Sequence, residues 1–538
     1  MSFFPKRTVW RPLALSIAVA ALGSAQAPPA LADQPQDNGS AEVSAAQHGE
    51  LHSLRGAMPR PDDFSKSPRE HKQHPLPWVD GPGQPNDPVV QTSAGPAAPT
   101  FGSGVDGVGN GFSGPQGTFT VDSAPPDTNG AVGATQYVQI VNSGFAVFDK
   151  TSKSAVYGPV PTNTLWQGFG GPCQSDNDGD ATVVYDKAAG RWVISQFAVT
   201  AAPYYECVAV SKTADATGGY WLYAFPYGSV FPDYPKMGVW PDAYYETFNM
   251  FNGNTFAGAK LCAYDRNSML NGLPATQQCF QLSSSYGGVL PADMDGSTAP
   301  PAGAPNYLFN FGTGKLNEWK FHIDWNVPGN TKLTGPVSIP VAAFSAACSG
   351  GTCIPQSGTS QKLDSLADRL MFRVGYRNFT DHESLVITHS VTAGNKRTSP
   401  SGVRWYEIRS PGAAAPTVYQ QSTYAPDSSY RWMGSLAMDK QGNIALGYSV
   451  SSSTMHPAIR YTGRLAGDTL NTMQSETSIV AGTGSQSGSN LSRWGDYSAM
   501  TIDPSDDCTF WYTNEYLKTT GAFNWSTRIA SLKFAGCQ

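Results

Sequence analysis

From about residue 117 to the C-terminus the chain shows short apolar runs, some continuous and some alternating with polar positions at a period of two. Examples are Tyr137-Val138-Gln139-Ile140-Val141, Gly144-Phe145-Ala146-Val147-Phe148, Trp192-Val193-Ile194-Ser195, Glu206-Cys207-Val208-Ala209-Val210, Trp319-Lys320-Phe321-His322-Ile323, Leu385-Val386-Ile387-Thr388 and Trp405-Tyr406-Glu407-Ile408. Turn-forming residues separate the runs, and no amphipathic helical period interrupts them. This pattern predicts a chain of many short strands joined by turns.

A polar cluster precedes many of the runs. It is read at Asp127-Thr128-Asn129-Gly130, Asp178-Gly179-Asp180, Asp233-Tyr234-Pro235-Lys236, Asp293-Met294-Asp295, Asp368-Arg369, Tyr430-Arg431-Trp432 and Arg493-Trp494-Gly495-Asp496. Asp127, Asp180 and Asp233 are spaced by 53 residues, and Arg369, Arg431 and Arg493 by 62. A strand-rich repeat of roughly 40–60 residues is the signature of propeller blades. The expected fold is all-β: a seven-bladed β-propeller of four-stranded antiparallel blades, its ring closed by an N-terminal strand in the last blade. Gly117-Thr118-Phe119-Thr120-Val121 is the expected closing strand, since it precedes the first full copy.

The N-terminus reads differently. Lys6, Arg7 and Arg11, an apolar run from Leu13 to Leu22, and Ala30-Leu31-Ala32 before Asp33 have the order of an export signal over 1–32. Residues 33–116 are rich in Pro, Gly, Gln and Ser and predict a flexible tail or pro-segment, with the propeller over 117–538. Four of the 8 histidines, His48, His52, His71 and His74, fall in that tail, where a solvated role is favoured over a metal one. The apolar run is too short for a membrane span. The expected location is therefore secreted, extracellular or periplasmic.

The 8 cysteines suit such an oxidising compartment. Neighbouring couples, Cys173/Cys207, Cys262/Cys279, Cys348/Cys353 and Cys508/Cys537, are the favoured pairing among the 105 that eight cysteines allow. A net charge of −6, with no dense Lys/Arg footprint, speaks against nucleic acid as a partner.

The repeats resemble secreted bacterial seven-bladed β-propellers, a group that holds sialidase-like glycosidases, polysaccharide lyases and glycan-binding proteins. The stretch Ser492-Arg493-Trp494-Gly495-Asp496-Tyr497-Ser498-Ala499-Met500 is similar to phrases in bacterial secreted proteins. The sialidase Asp-box is not matched, since Ser175-Asp176-Asn177-Asp178-Gly179 lacks the required Trp. The expected function is work on an extracellular, acidic glycan or cell-surface polymer through a polar site at the channel mouth, by hydrolysis or by lyase chemistry. The alternative is a non-catalytic binding or adhesion propeller for glycan or protein. A monomer is expected.

In a propeller the loops before the first strand and after the second open on one face, so the polar clusters are expected to ring the channel mouth. Asp496, Glu515 and Tyr497 are the candidate catalytic residues: two carboxylates for acid and base, and a tyrosine for a lyase-type base. Arg369, Arg431, Arg493, Asp180, Asp233 and Lys236 are candidate substrate-binding residues. Three converging guanidinium groups would suit an acidic sugar, whereas pairing with the aspartates would make them blade ties. Trp240, Trp432 and Trp494 beside the clusters are read as inter-blade packing. Asp176, Asp178 and Asp180 alternate around a glycine in a spacing that can wrap Ca2+. No other cofactor is implied: zinc, serine-hydrolase, phosphate-loop and dinucleotide motifs are all missing from the sequence.

Overall fold

The computed structural model describes residues 1–3, 38–58, 68–71, 74–76, 87–93, 95, 99–394 and 399–538. Residues 1–34 and 35–538 form two compact units, and every strand among the described residues belongs to the second. The expected export signal, beyond its first three residues, lies outside the described residues.

The fold is all-β and built of antiparallel meanders. The first comprises Asn129–Val132, Gln136–Val141, Gly144–Asp149 and Ala155–Pro161. The second begins at Thr182–Asp186 and the third at Phe231–Val239. A nine-stranded sheet joins two more, because their first strands, Leu290–Met294 and Met371–Asn378, pair in parallel. The remaining two start at Tyr430–Met438 and Ala499–Ile502. Each first strand packs against the first strand of the next meander, and Ala499–Ile502 packs against Asn129–Val132.

These first strands approach closely at small residues. At Gly238 a Cβ would lie 2.5 Å from the carbonyl oxygen of Ala292 in the neighbouring first strand. Between the meanders the core is aromatic and aliphatic. Trp240 meets Tyr376 edge-on at 4.7 Å, and Trp432 meets Trp494 at 5.7 Å, so these tryptophans take the packing role expected of them.

The segment read as a tail supplies strands. Glu42–Ala45 extends the third meander and Gln47–Leu51 the second, while Val90–Gln91 runs parallel to Thr417–Tyr424. Backbone pairing at a sheet edge needs no apolar side chains, so polar composition did not reveal it. The strand that completes the last meander is Thr100–Asp106, on Trp525–Lys533, whereas Gly117–Thr118 pairs only with Ser113–Gly114. Gly102 and Gly104 explain the displacement. A Cβ there would come within 2.9 Å of Ser531 Oγ and 3.0 Å of Arg528 Nε, so glycine admits the strand that a longer apolar pattern would not.

All four disulfides join the expected couples, Cys173–Cys207, Cys262–Cys279, Cys348–Cys353 and Cys508–Cys537, with no free cysteine. Among the described residues no helix is long and apolar enough to cross a membrane.

Candidate functional site

Two left-handed residues aim the site. Asp127, at φ 46°, and Asp180, at φ 47°, each stand two positions before a first strand, where Asp tolerates a conformation most residues avoid. Their carboxyl groups turn toward the place where the first strands gather. Asn142 bridges them: its Nδ2 donates to Asp127 Oδ2 at 2.7 Å, and its Oδ1 accepts from the Asp180 backbone N–H at 2.8 Å. The Asp496 backbone N–H donates to Asp127 Oδ1 at 2.6 Å, which brings in a third meander.

Lys236 lies beneath these carboxylates and is fully buried. A bulge between Asp233 and Lys236 turns it inward. Its Nζ donates to the Pro235 carbonyl at 2.7 Å and sits over the rings of Tyr234 and Tyr497, 3.6 and 3.8 Å from their centres. Burial lowers the Lys236 amine to about 8, against the pull of Asp180, Asp496, Asp127 and Asp233. Burial, reinforced by Asp233 and Asp496, raises Asp180 to about 7. Burial likewise lifts Asp127 well above the ordinary carboxylate range, with Asp496 and Asp180 adding to it.

Asp496 is held by Arg493, which also faces Asp364 at 3.5 Å. Arg369 bonds Asp368 at 2.8 Å and lies over the Tyr234 ring, 4.6 Å from its centre. Thus Asp180, Asp233, Lys236, Arg369, Arg493, Asp496 and Tyr497 gather at one hub. A cavity of about 260 Å³ adjoins it, walled in part by Asn310, Phe256, Asp368 and Arg369.

Several expected residues behave otherwise. Arg431 does not join the hub; it bonds Asp427 and Glu476 through two edges of its guanidinium, because it lies in the strand itself, ahead of the bulge that follows Trp432. Each guanidinium of the expected trio is bonded to a carboxylate, while Arg493 Nε is buried without a partner. Glu515 is a buried support. One of its oxygens accepts from Gly495 N–H at 3.1 Å, the other has no partner, and burial raises its carboxyl well above the usual range. Tyr497 donates its hydroxyl to the Ala181 carbonyl at 3.3 Å, and burial raises it, so it does not present a base.

Asp176, Asp178 and Asp180 are not brought together. Asp176 accepts from Ser175 Oγ, Asp178 from the Val199 backbone and the Thr200 hydroxyl, while Asp180 turns into the hub. Among the described residues no group of three acidic, His or Cys side chains is arranged to hold a metal. Asp293 belongs to a separate ionic knot with Arg373, to which Asp295 and Lys187 also contribute.

Sequence reasoning missed Asp364, Glu70, His71 and His74. Asp364 stands four residues before Asp368; His71 and His74, expected to be solvated, are instead packed against the hub, because the polar N-terminal segment gave no sign of these long-range contacts.

No protein-family model matches the chain, and no curated protein matches it. Solved structures share a distant likeness. The N-terminal domain of Nup159 has a TM-score of 0.33 at 8% identity over 87% of this chain and 100% of that one. A polysaccharide lyase PL25, an ulvan lyase, has 0.32 at 12% identity over 78% and 95%. The α-L-arabinofuranosidase Arb93A from Fusarium graminearum has 0.30 at 10% identity over 86% and 99%. Likenesses this distant assign no activity, so function rests on the hub itself.

Proposed function

We propose that the chain is a secreted, disulfide-bonded propeller of seven blades, closed through Thr100–Asp106, that hydrolyses an extracellular glycan at this hub. The observation that carries the proposal is the division of labour between two carboxyl groups in one cluster. Asp180, raised to about 7, keeps its proton near neutrality. Asp496 is ion-paired with Arg493. A protonated acid beside a charged carboxylate is what glycoside hydrolysis uses: one group protonates the leaving oxygen, and the other attacks or activates water. Glu515 supports the loop of Asp496 through Gly495, and Lys236 balances the remaining carboxylates.

The substrate we infer is an uncharged glycan. Arg369, Arg431 and Arg493, expected to clamp an acidic sugar, are each committed to carboxylates, so the clamp a uronate or sialate needs is not formed. The cavity beside Arg369 is the natural place for a neighbouring sugar unit.

The test is product release from a panel of neutral and acidic polysaccharides. Reducing ends from neutral polymers support the reading. Absorbance near 235 nm would indicate a lyase instead, and saturable binding without product would indicate the non-catalytic alternative.

A further inference from the structure

The mouth of the hub is occupied by the chain itself. Arg69–Glu70 runs parallel to Ser123–Ala124, with His71 after it, and the chain touches the hub again at His74 and Leu76. Glu70 Oε1 accepts from the backbone N–H groups of Ser492 and Arg493, each at 3.2 Å. The Nε2 atom of His71 is buried without a partner. His74 places Nδ1 3.7 Å from Asp233 Oδ1, with its ring against Phe231 and Phe251 at 5.2 and 4.9 Å. Its carbonyl accepts from Arg369 Nη2 at 3.2 Å. Leu76 donates its N–H to Asp368 Oδ2 at 3.0 Å, and its side chain walls the adjoining cavity.

We propose that residues 68–71 and 74–76 act as an autoinhibitory strap, a built-in occupant of the hub's ligand groove whose displacement or excision opens the site. This rests on the hub being the glycan site. The strap takes contacts a ligand would use: an acceptor oxygen on two backbone N–H groups, a ring on two phenylalanines, and a polar group on a hub aspartate. A two-residue parallel ladder is a weak attachment. The chain on either side is anchored independently, by Gln47–Leu51 and by Val90–Gln91 with Thr100–Asp106. Removal of the strap leaves those anchors in place.

The experiment uses the full chain with recognition sequences for a specific protease inserted after Asp63 and after Gly81. After cleavage, gel filtration and mass spectrometry track the excised peptide. Thermal unfolding tracks the core. Fluorescence anisotropy measures rebinding of the labelled synthetic peptide. The expected result is that the peptide leaves, the core stays folded, and the peptide rebinds saturably. Peptides carrying Glu70→Ala or His74→Ala should rebind about 10-fold more weakly, the loss of one charge-assisted contact. Retention of the peptide until the core unfolds, or equal rebinding by the variant peptides, would overturn the strap. Equal glycan turnover before and after excision would overturn it too, leaving the hydrolase reading intact. A peptide that leaves and rebinds while no polysaccharide yields product supports the strap and removes the hydrolase.

Discussion

The ammonium of Lys236 lies 3.8 Å from the ring centre of Tyr497, in the loop that leads into Ala499–Ile502. Tyr234 covers it from within its own strand at 3.6 Å. A cation in this aromatic cradle is desolvated yet stabilised by the quadrupoles of both rings. It is the charge around which Asp127, Asp180, Asp233 and Asp496 are arranged.

Replacing Lys236 by Met therefore leaves buried carboxylates uncompensated. The expected loss is about 3–5 kcal/mol in urea unfolding at pH 7, shrinking at pH 5 where more of the carboxyl groups are protonated. An unchanged unfolding midpoint at both pH values would show that the hub does not need this cation.

Arg431 and Arg493 should behave as different kinds of residue. Arg431→Ala breaks the buried pair with Glu476 and the half-exposed one with Asp427 and should lower stability by about 2–4 kcal/mol, with turnover of the surviving folded protein unchanged. Arg493→Lys keeps a charge but loses the planar fork on Asp496 and Asp364, and should lower kcat. Paired measurements of melting temperature and kcat on both variants check this.

Between the second and third meanders lie two buried acids, Glu206 and Glu246. Ser195 gives its hydroxyl proton to Glu246 at 2.9 Å, and neither Glu206 oxygen meets a donor in hydrogen-bonding geometry. Burial raises both, Glu246 to about 7, and Glu246 pushes Glu206 further. Because the folded state holds these protons more tightly, their contribution is complete below 4.5 and is lost as pH rises, for Glu246 through about 7. Glu206→Gln should thus raise stability at pH 8 by about 1–3 kcal/mol while changing little at pH 4. Melting curves at the two pH values decide it, and an equal shift at both would contradict it.

The strands were legible because alternation and turn residues survive translation into structure: Trp192-Val193-Ile194-Ser195 lies within Arg191–Ala198, and Glu206-Cys207-Val208-Ala209-Val210 within Tyr204–Ser211. The disulfides were legible because both members of each couple sit close in sequence. Thr100–Asp106 was not, since its glycines answer to crowding by Ser531 and Arg528 rather than to an apolar face. Half of the site was readable from the recurring aspartates. The equal spacing of Arg431 and Arg493 misled because their phases differ. Arg431 stands inside its strand, two residues before left-handed Met433, whereas Arg493 stands in the loop ahead of Ala499–Ile502. The strap residues Glu70, His71 and His74 met the hub through long-range contacts that no local pattern encodes.

The most direct test of the hydrolytic hub is the turnover of Asp180→Asn against the wild-type residue, both in the strap-excised chain, on the neutral polysaccharide that yields reducing ends. Asp180 must hold its proton to act, so kcat/KM of the wild-type residue should decline as pH rises past about 7. The substitution should lower turnover about 10²–10⁴-fold while the protein stays folded. Undiminished turnover by Asp180→Asn, with an unaltered pH profile, would contradict the assignment of this hub as the catalytic site.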